Sequence, residues 1–356
     1  MIVTFTPNPS LDKTLELDAP LRTGAVQRAI GHTAEPGGKG VNISRALTAA
    51  GTRSLAVLPG DPGDPVLLAL QELGVEARAL PLGAPLRTNT AITDPQGVTT
   101  KINEPGPAFD AALTGALLQL LLQASEGASW VALAGSLPPG VPVDFYAQAI
   151  TALRRTFGEQ TPKIALDTSG EPMAAALPAA PDLIKPNAEE LLELHAAFTG
   201  SAATDPDTAQ RLADELETDP ARAVQLATEL QHHGARAALV TLGAHGAVFI
   251  PHLKTAPSDG EPAALRAWGP AIVPRSTVGA GDASLAGFIA AAQSGASETD
   301  SLKHAMAMGR AAAELPGSIM PTPQHLSTSA LSTEALSTEH LTLNPSTTTT
   351  VNVETS

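Results

Sequence analysis

The chain of 356 residues contains no cysteine, which excludes disulfides, thiolate catalysis and cysteine-held zinc or iron–sulfur centres. Aromatic residues make up only 3%, so a core must be assembled from the Ala, Leu, Val and Ile that supply most of the 43% apolar fraction. Long hydrophobic runs are missing too: the best, Leu113 to Leu122, is too short and interrupted to cross a bilayer. Positive charge is scarce. Twenty-one Lys and Arg face 36 Asp and Glu, and the net charge of −15 argues against nucleic acid or an anionic membrane as partner. Met1-Ile2-Val3-Thr4-Phe5 opens on a strand pattern with no basic segment followed by an apolar one, so the expectation is a cytoplasmic protein.

That scarcity makes the few cations informative. Of seven lysines, Lys39, Lys101 and Lys185 each sit inside a motif punctuated by Gly, Pro or Asn. A solvated face is the ordinary place for a lysine, but an acidic protein that handles an anion concentrates its positive charge at the site.

Short β-rich runs alternate with longer Ala/Leu-rich helical patterns. Leu55–Leu58 precedes a helix from Pro65 to Leu73, and Trp130–Ala134 precedes one beginning near Pro142. Lys163–Asp167, Leu183–Lys185 and Ala238–Thr241 repeat the theme. Such alternation predicts an α/β fold with a mainly parallel central sheet between helical layers, and ligands beyond the carboxyl ends of its strands. Two segments break the rhythm, within about 12–35 and 86–104. In the second, Thr88–Thr93 and Val98–Ile102 read as a hairpin turning at Asp94-Pro95-Gln96-Gly97, and together the segments predict a small β-sheet lid. Residues 201–220, with six acids and one base, read as a solvated helical excursion with no catalytic role. Leu326, Leu331, Leu336 and Leu341 recur every five residues among Ser and Thr, a period that fits neither helix nor strand. The folded domain is therefore expected to span 1–321, with 322–356 a disordered low-complexity tail.

Two motifs carry chemistry. In Ser276-Thr277-Val278-Gly279-Ala280-Gly281-Asp282, small residues at a helix start let backbone N–H groups converge on an anion. An Asp there can take a proton from an attacking hydroxyl; alone, the run equally suits an Asp that merely caps a helix. In Pro36-Gly37-Gly38-Lys39-Gly40-Val41-Asn42, paired glycines allow close backbone approach, Lys39 adds a cation and Asn42 can bond hydroxyls. This is no Walker A loop, and alone it suits a glycine-rich helix entry with Lys39 in solvent better than a ligand site.

In wording and order the two motifs resemble the signatures of the ribokinase-like (PfkB) family of carbohydrate kinases, over essentially all of Ile2 to about Pro321. Asn187-Ala188-Glu189-Glu190 is similar to the family's N-x-x-E motif and Thr241-Leu242-Gly243-Ala244-His245-Gly246 to its nucleotide-binding turn. Thr6-Pro7-Asn8-Pro9-Ser10-Leu11-Asp12, Arg87-Thr88-Asn89, Asn103-Glu104-Pro105-Gly106-Pro107, Gly135-Ser136-Leu137-Pro138-Pro139-Gly140 and Asp167-Thr168-Ser169-Gly170 resemble its 1-phosphofructokinase and tagatose-6-phosphate kinase branch. Ser276 stands where members with a monovalent-cation site carry Asp, which fits that branch and weighs against potassium activation.

The resemblance implies a three-layer α/β/α sandwich and ATP-dependent phosphorylation of a sugar phosphate, with Mg²⁺. Fructose 1-phosphate is the first choice of acceptor, and tagatose 6-phosphate and fructose 6-phosphate are the alternatives. It implies Asp282 as base and the amides of Gly279, Ala280 and Gly281 as anion hole. Asp12, Gly37, Gly38 and Asn42 would meet the sugar, while Lys39, Arg87 and Lys101 would clamp its phosphate. Asn89, Asn103 and Ser136 belong to the same pocket, although the asparagines equally suit exposed strand positions. Lys185 and Asn187 would face the ATP phosphates, with Thr241, Gly243 and Gly246 at the nucleotide and Glu190 organising Mg²⁺ through water. A homodimer through the lid is the implied partner. A catalytically silent sensor would have lost the Asp of the late motif or the N-x-x-E pair, and both stand. A nicotinamide oxidoreductase would need G-x-G-x-x-G after the first strand, where Thr6-Pro7-Asn8-Pro9 stands instead.

Overall fold

A computed structural model describes residues 1–201, 205–252 and 264–336. The strands are β1 (Ile2–Phe5), β2 (Ser10–Glu16), β3 (Gly31–Gly37), β4 (Ser54–Pro59), β5 (Ala77–Leu80), β6 (Arg87–Thr93), β7 (Thr99–Asn103), β8 (Trp130–Ala134), β9 (Lys163–Asp167), β10 (Leu183–Ile184), β11 (Ala238–Thr241), β12 (Ala247–Ile250), β13 (Ala264–Trp268) and β14 (Ser332–Leu336). The helices are α1 (Lys39–Ala49), α2 (Pro65–Glu72), α3 (Ala111–Ala124), α4 (Phe145–Phe157), α5 (Gly170–Ala176), α6 (Ala188–Thr199), α7 (Pro206–Glu217), α8 (Pro220–Gln231), α9 (Ala280–Gln293) and α10 (Glu298–Glu314).

Ten strands form one sheet in the order β14-β13-β12-β11-β10-β9-β8-β1-β4-β5. From β5 to β11 every neighbour is parallel; β12, β13 and β14 then add on antiparallel. The central strands are continuous apolar runs because both faces are covered. Val131 and Leu133 of β8 point into a core shared with α3, α4, α5, α6, α7 and α8. Trp130, Ala132 and Ala134 point the other way, into a core shared with α1, α9 and α10. This is the expected three-layer sandwich. α10 can press closely on α9 because a Cβ at Gly309 would lie 2.1 Å from Ser284 Oγ.

The small second sheet has the order β3-β2-β6-β7, with β2 parallel to β6 and the outer pairs antiparallel. Asp94 Oδ1 accepts from the N–H groups of Gln96 and Val98, so the Asp94–Gly97 turn closes the hairpin where its chemistry indicated. Among the described residues no helix is long and apolar enough to cross a membrane.

The tail needs correction. The chain does not leave the fold near Pro321: β14 pairs with β13 from Ala264↔Leu336 to Trp268↔Ser332 and continues the sheet. Leu331 is buried, while Leu326 and Leu336 pack against the two cores. Their spacing of five has no single periodic element behind it. Leu326 follows the turn Pro323–His325, Leu331 precedes β14 and Leu336 ends it. Leu341 and the Ser/Thr run beyond it lie outside the described residues.

Candidate active site

The helix α9 starts at Gly279, whose φ of +77° is a left-handed conformation that costs a glycine little. No side chain caps this end among the described residues, so first-turn amides such as those of Gly281 and Asp282 have no intrahelical acceptor and face outward with the positive end of the dipole. The Asp282 side chain itself is buried and accepts from Asn42 Nδ2 at 2.9 Å. Burial first, then the negative charge of Asp167, push its carboxyl up to about 6, against the opposing pull of Lys185, the Asn42 bond and Lys39.

Beside this turn stands a buried ion web. Asp167, the last residue of β9, is wholly buried and receives Lys39 Nζ at 2.8 Å on Oδ1. Lys185 Nζ, just past β10, lies 3.2 Å from Oδ2 as an ion pair. A Cβ built at Gly281 would lie only 3.3 Å from Lys185 Nζ, so the ammonium sits directly against the small-residue turn. Burial alone would raise Asp167, but Lys185 and Lys39 more than offset it and hold its carboxyl below the usual range. Burial would likewise lower Lys39, yet Asp167 and Glu190 hold it protonated.

Lys39 Nζ also bonds Glu190 Oε1 at 2.9 Å. Glu190 Oε2 accepts from Asn187 N and Asn187 Oδ1 from Glu190 N, the capping box that starts α6. With both carboxylate oxygens engaged, Glu190 suits contact with Mg²⁺ through water better than direct ligation, and Mg²⁺ commonly keeps several waters beside phosphate ligands. Asn187 bridges Thr241 at the end of β11, joining the N-x-x-E motif to the Thr241–Gly246 turn. There Gly246 has φ +109°, and a Cβ would lie 2.2 Å from Ala267 O. Gly243 packs on Glu217, so the acidic excursion at 201–220 ends against this turn and does not stand clear of it.

On the other side lies the small sheet. Asp12 Oδ1 accepts from Ser10 Oγ at 2.7 Å and from Asn89 Nδ2 at 3.0 Å. Its Oδ2 fills the space that a Cβ at Gly37 would enter at 2.1 Å, while Gly38 caps α1. Arg87 donates to Glu104 O at 3.1 Å and to Ser136 Oγ at 3.4 Å. Ser136 is also met by Asn8 Nδ2 at 3.3 Å, which donates to Pro105 O as well. Arg87 Nε and Asn89 Oδ1 are buried with no partner among the described residues. Lys101 and Asn103 are exposed on β7, where Asn103 is in register with Asn89.

Most of the residues singled out in the sequence thus converge on the carboxyl ends of β1, β8, β9 and β10 and on the small sheet. Lys39 is placed differently from expectation. Its ammonium bonds Asp167 and Glu190, and not the cluster that holds Arg87. The sequence motifs give Asp167 and Asn8 no role of their own. Asp167 could have been found as a charge ending an apolar strand on a parallel sheet. Asn8 follows β1 in the same way, with only its polarity to mark it.

The site thus joins an uncapped helix start, a buried carboxylate beside it and a cluster of polar side chains on the small sheet of an α/β fold. The chain belongs to the pfkB family of carbohydrate kinases, whose model matches residues 8–325, and it is an ATP-dependent carbohydrate kinase. It is 32% identical over 336 residues to 1-phosphofructokinase of Rhodobacter capsulatus, covering 92% of this chain and 95% of that one. It is 33% identical over 308 residues to 1-phosphofructokinase of Haloferax volcanii, covering 85% and 88%. The solved structure of phosphofructokinase-2 from Escherichia coli in complex with substrates and products matches with a TM-score of 0.74 at 26% identity, over 91% of this chain and 96% of that one.

Proposed function

We propose that this kinase is a cytoplasmic enzyme that transfers the γ-phosphoryl group of ATP to a sugar phosphate, with fructose 1-phosphate as preferred acceptor and fructose 1,6-bisphosphate as product. The observation that carries the reading is the Arg87–Ser136–Asn8 cluster beside Asp12 and Asn89. A planar guanidinium beside a hydroxyl suits an existing phosphate, and a carboxylate–amide pair suits a polyol. The relatives named 1-phosphofructokinase support the same acceptor.

Asp282 accepts the proton of the acceptor hydroxyl as its oxygen bonds to the γ-phosphorus, while the bond to the β–γ bridging oxygen breaks and ADP leaves. The amides of Gly279, Ala280 and Gly281, with Lys185, stabilise the charge on the transferring group. Asn187, Thr241, Gly243 and Gly246 hold the nucleotide, and Glu190 would hold Mg²⁺ through water. When bound, Mg²⁺ would supply positive charge that offsets the negative charge of the phosphates. Asp12, Gly37, Gly38, Asn42, Asn89 and Asn103 orient the sugar. Ser136, Arg87 and Lys101 take its phosphate, the last two as the small sheet closes over the site as a lid. Lys39, held by Asp167 and Glu190, serves the transferring phosphoryl side more directly than the acceptor's own phosphate.

Steady-state kcat/KM across fructose 1-phosphate, tagatose 6-phosphate, fructose 6-phosphate and ribose tests this. Fructose 1-phosphate ranks first, and ribose trails by roughly 10²-fold or more because Arg87 then lacks its partner. Ribose ranking above the phosphorylated sugars would overturn the reading.

The same sheet carries exposed apolar side chains on and beside its strands: Val26 90%, Ile30 68%, Val98 64% and Ile102 57% exposed. Such a patch suits pairing of two lids in a homodimer. Sedimentation equilibrium should find a dimer for the unaltered chain and a monomer for Ile102→Glu; a monomer in both removes the idea.

A further inference from the structure

Arg45 lies one turn beyond Asn42 on α1 and is only 6% exposed, a rare situation for arginine. Its Nη1 donates to Asn42 Oδ1 at 3.1 Å, Pro36 O at 2.9 Å and Ser318 Oγ at 3.0 Å. Its Nη2 donates to Ser318 O at 3.0 Å and lies 3.8 Å from Glu35 Oε1. Glu35 Oε2 in turn accepts from Ser318 N at 3.1 Å and from Ser318 Oγ at 2.7 Å. One guanidinium thus joins β3 of the small sheet, α1, and the loop after α10.

The consequence lies in Asn42. A primary amide has one accepting end and one donating end. With Oδ1 tied to Arg45, Nδ2 has to point the opposite way, toward Asp282 Oδ2. We propose that Arg45 is a positioning residue for the base: it locks the Asn42 amide so that its N–H₂ and not its carbonyl faces Asp282, and it ties that orientation to the lid strand β3. This rests on the reading of Asp282 as the base.

The charged groups facing Asp282 come from three further places: Asp167 on β9, Lys185 after β10 and Lys39 at the start of α1. α10 meets α9 through Gly309, Met308 and the His304 backbone. None of these changes when Arg45 is replaced. Loss of the guanidinium removes an attraction between the two side chains and frees the Asn42 amide to turn. A carbonyl facing the carboxyl favours its protonated form, so the Asp282 midpoint must rise.

The test is a ¹³C NMR titration of the aspartate carboxyls in the full chain, with Asp282 assigned by Asp282→Asn. In Arg45→Met the Asp282 midpoint rises by on the order of one pH unit, and the acid limb of kcat moves with it. In Arg45→Lys the midpoint rises by a smaller amount, since the charge is kept but a single nitrogen lacks the planar fork that reaches Asn42 and both Ser318 oxygens from two nitrogens. An Asp282 midpoint that stays put, with only a lower melting temperature, would make Arg45 a structural anchor and overturn the proposal. If Arg45→Met does not fold, an unmoved midpoint in Arg45→Lys does the same. The titration needs no turnover, so an inactive wild-type chain would sink the proposed function while leaving this result readable.

Discussion

Replacing Asp282 by asparagine lowers kcat by on the order of 10³, the usual scale for losing a positioned general base, and at the same time makes the protein more stable at neutral pH. The second effect follows from burial. The folded-state carboxyl is raised from 3.8 to about 6, so the folded chain holds that proton more tightly than the unfolded chain. The favourable contribution is complete below about 4 and is lost as pH rises through 6. Above that range an ionised Asp282 costs on the order of 3 kcal/mol, which the neutral amide avoids. Calorimetry at pH 7.5 should show the variant melting higher by roughly 2 °C for each kcal/mol recovered, and at pH 4 the two proteins should melt together. Steady-state kinetics of the same variant decides the catalytic half: near-normal kcat removes Asp282 from the role of base. The wild-type acid limb should likewise fall near pH 6, where the base becomes protonated.

Removing Asp167 is expected to be the most destabilising single change at the site. Its carboxylate is wholly buried between Lys39 and Lys185, and Lys185 is itself only 5% exposed. Asp167→Ala leaves that ammonium buried without its counter-charge, a situation that typically costs about 3–5 kcal/mol. Urea denaturation at pH 7.5 reads this directly. The sign of its pH dependence is opposite to that of Asp282. Asp167 is held below the usual carboxylate range, so its contribution is present above the unfolded value and is lost as pH falls through the folded one. The stability difference between wild type and Asp167→Ala should therefore shrink in strong acid. Activity carries a second signature. Asp167 is a main cause of the raised Asp282 carboxyl, so whatever turnover survives should keep its acid limb at a lower pH than wild type. An equal urea midpoint for both proteins would show that Lys185 finds water or another partner, contrary to its burial.

Much of the frame was legible because parallel strands covered on both faces must be short apolar runs. Trp130–Ala134 and Lys163–Asp167 stand in the fold with the same boundaries they have in the text of the sequence. The Gly279–Asp282 turn was legible for a related reason: glycines and alanines at a helix start leave the backbone uncovered. Side-chain pairing was not legible. Lys39 reads like a phosphate clamp until its partners, 128 and 151 residues away, are in view. Arg45 carries no signal of its own in the sequence, because its partner Ser318 lies 273 residues away. The same limit hid β14. An edge strand needs only one face against the fold, and Ser332–Leu336 provides little more than Leu336 and a pairing partner, too weak a pattern to stand out from Ser/Thr-rich surroundings.

That last strand also bears on how the protein is made. Every other described strand of the large sheet is synthesised before Ser332. A nascent chain that stops short of it carries β13 as an open edge, with the row of unpaired N–H and C=O groups that recruits strands from other chains. Arg266, midway along β13 and stacked over the Trp268 ring, places a charge on that edge during the interval; Glu334 answers the charge once β14 docks. Pairing of β13 with β14 thus waits until Ser332–Leu336 has been made, and until then the β13 edge is open to strands of other chains.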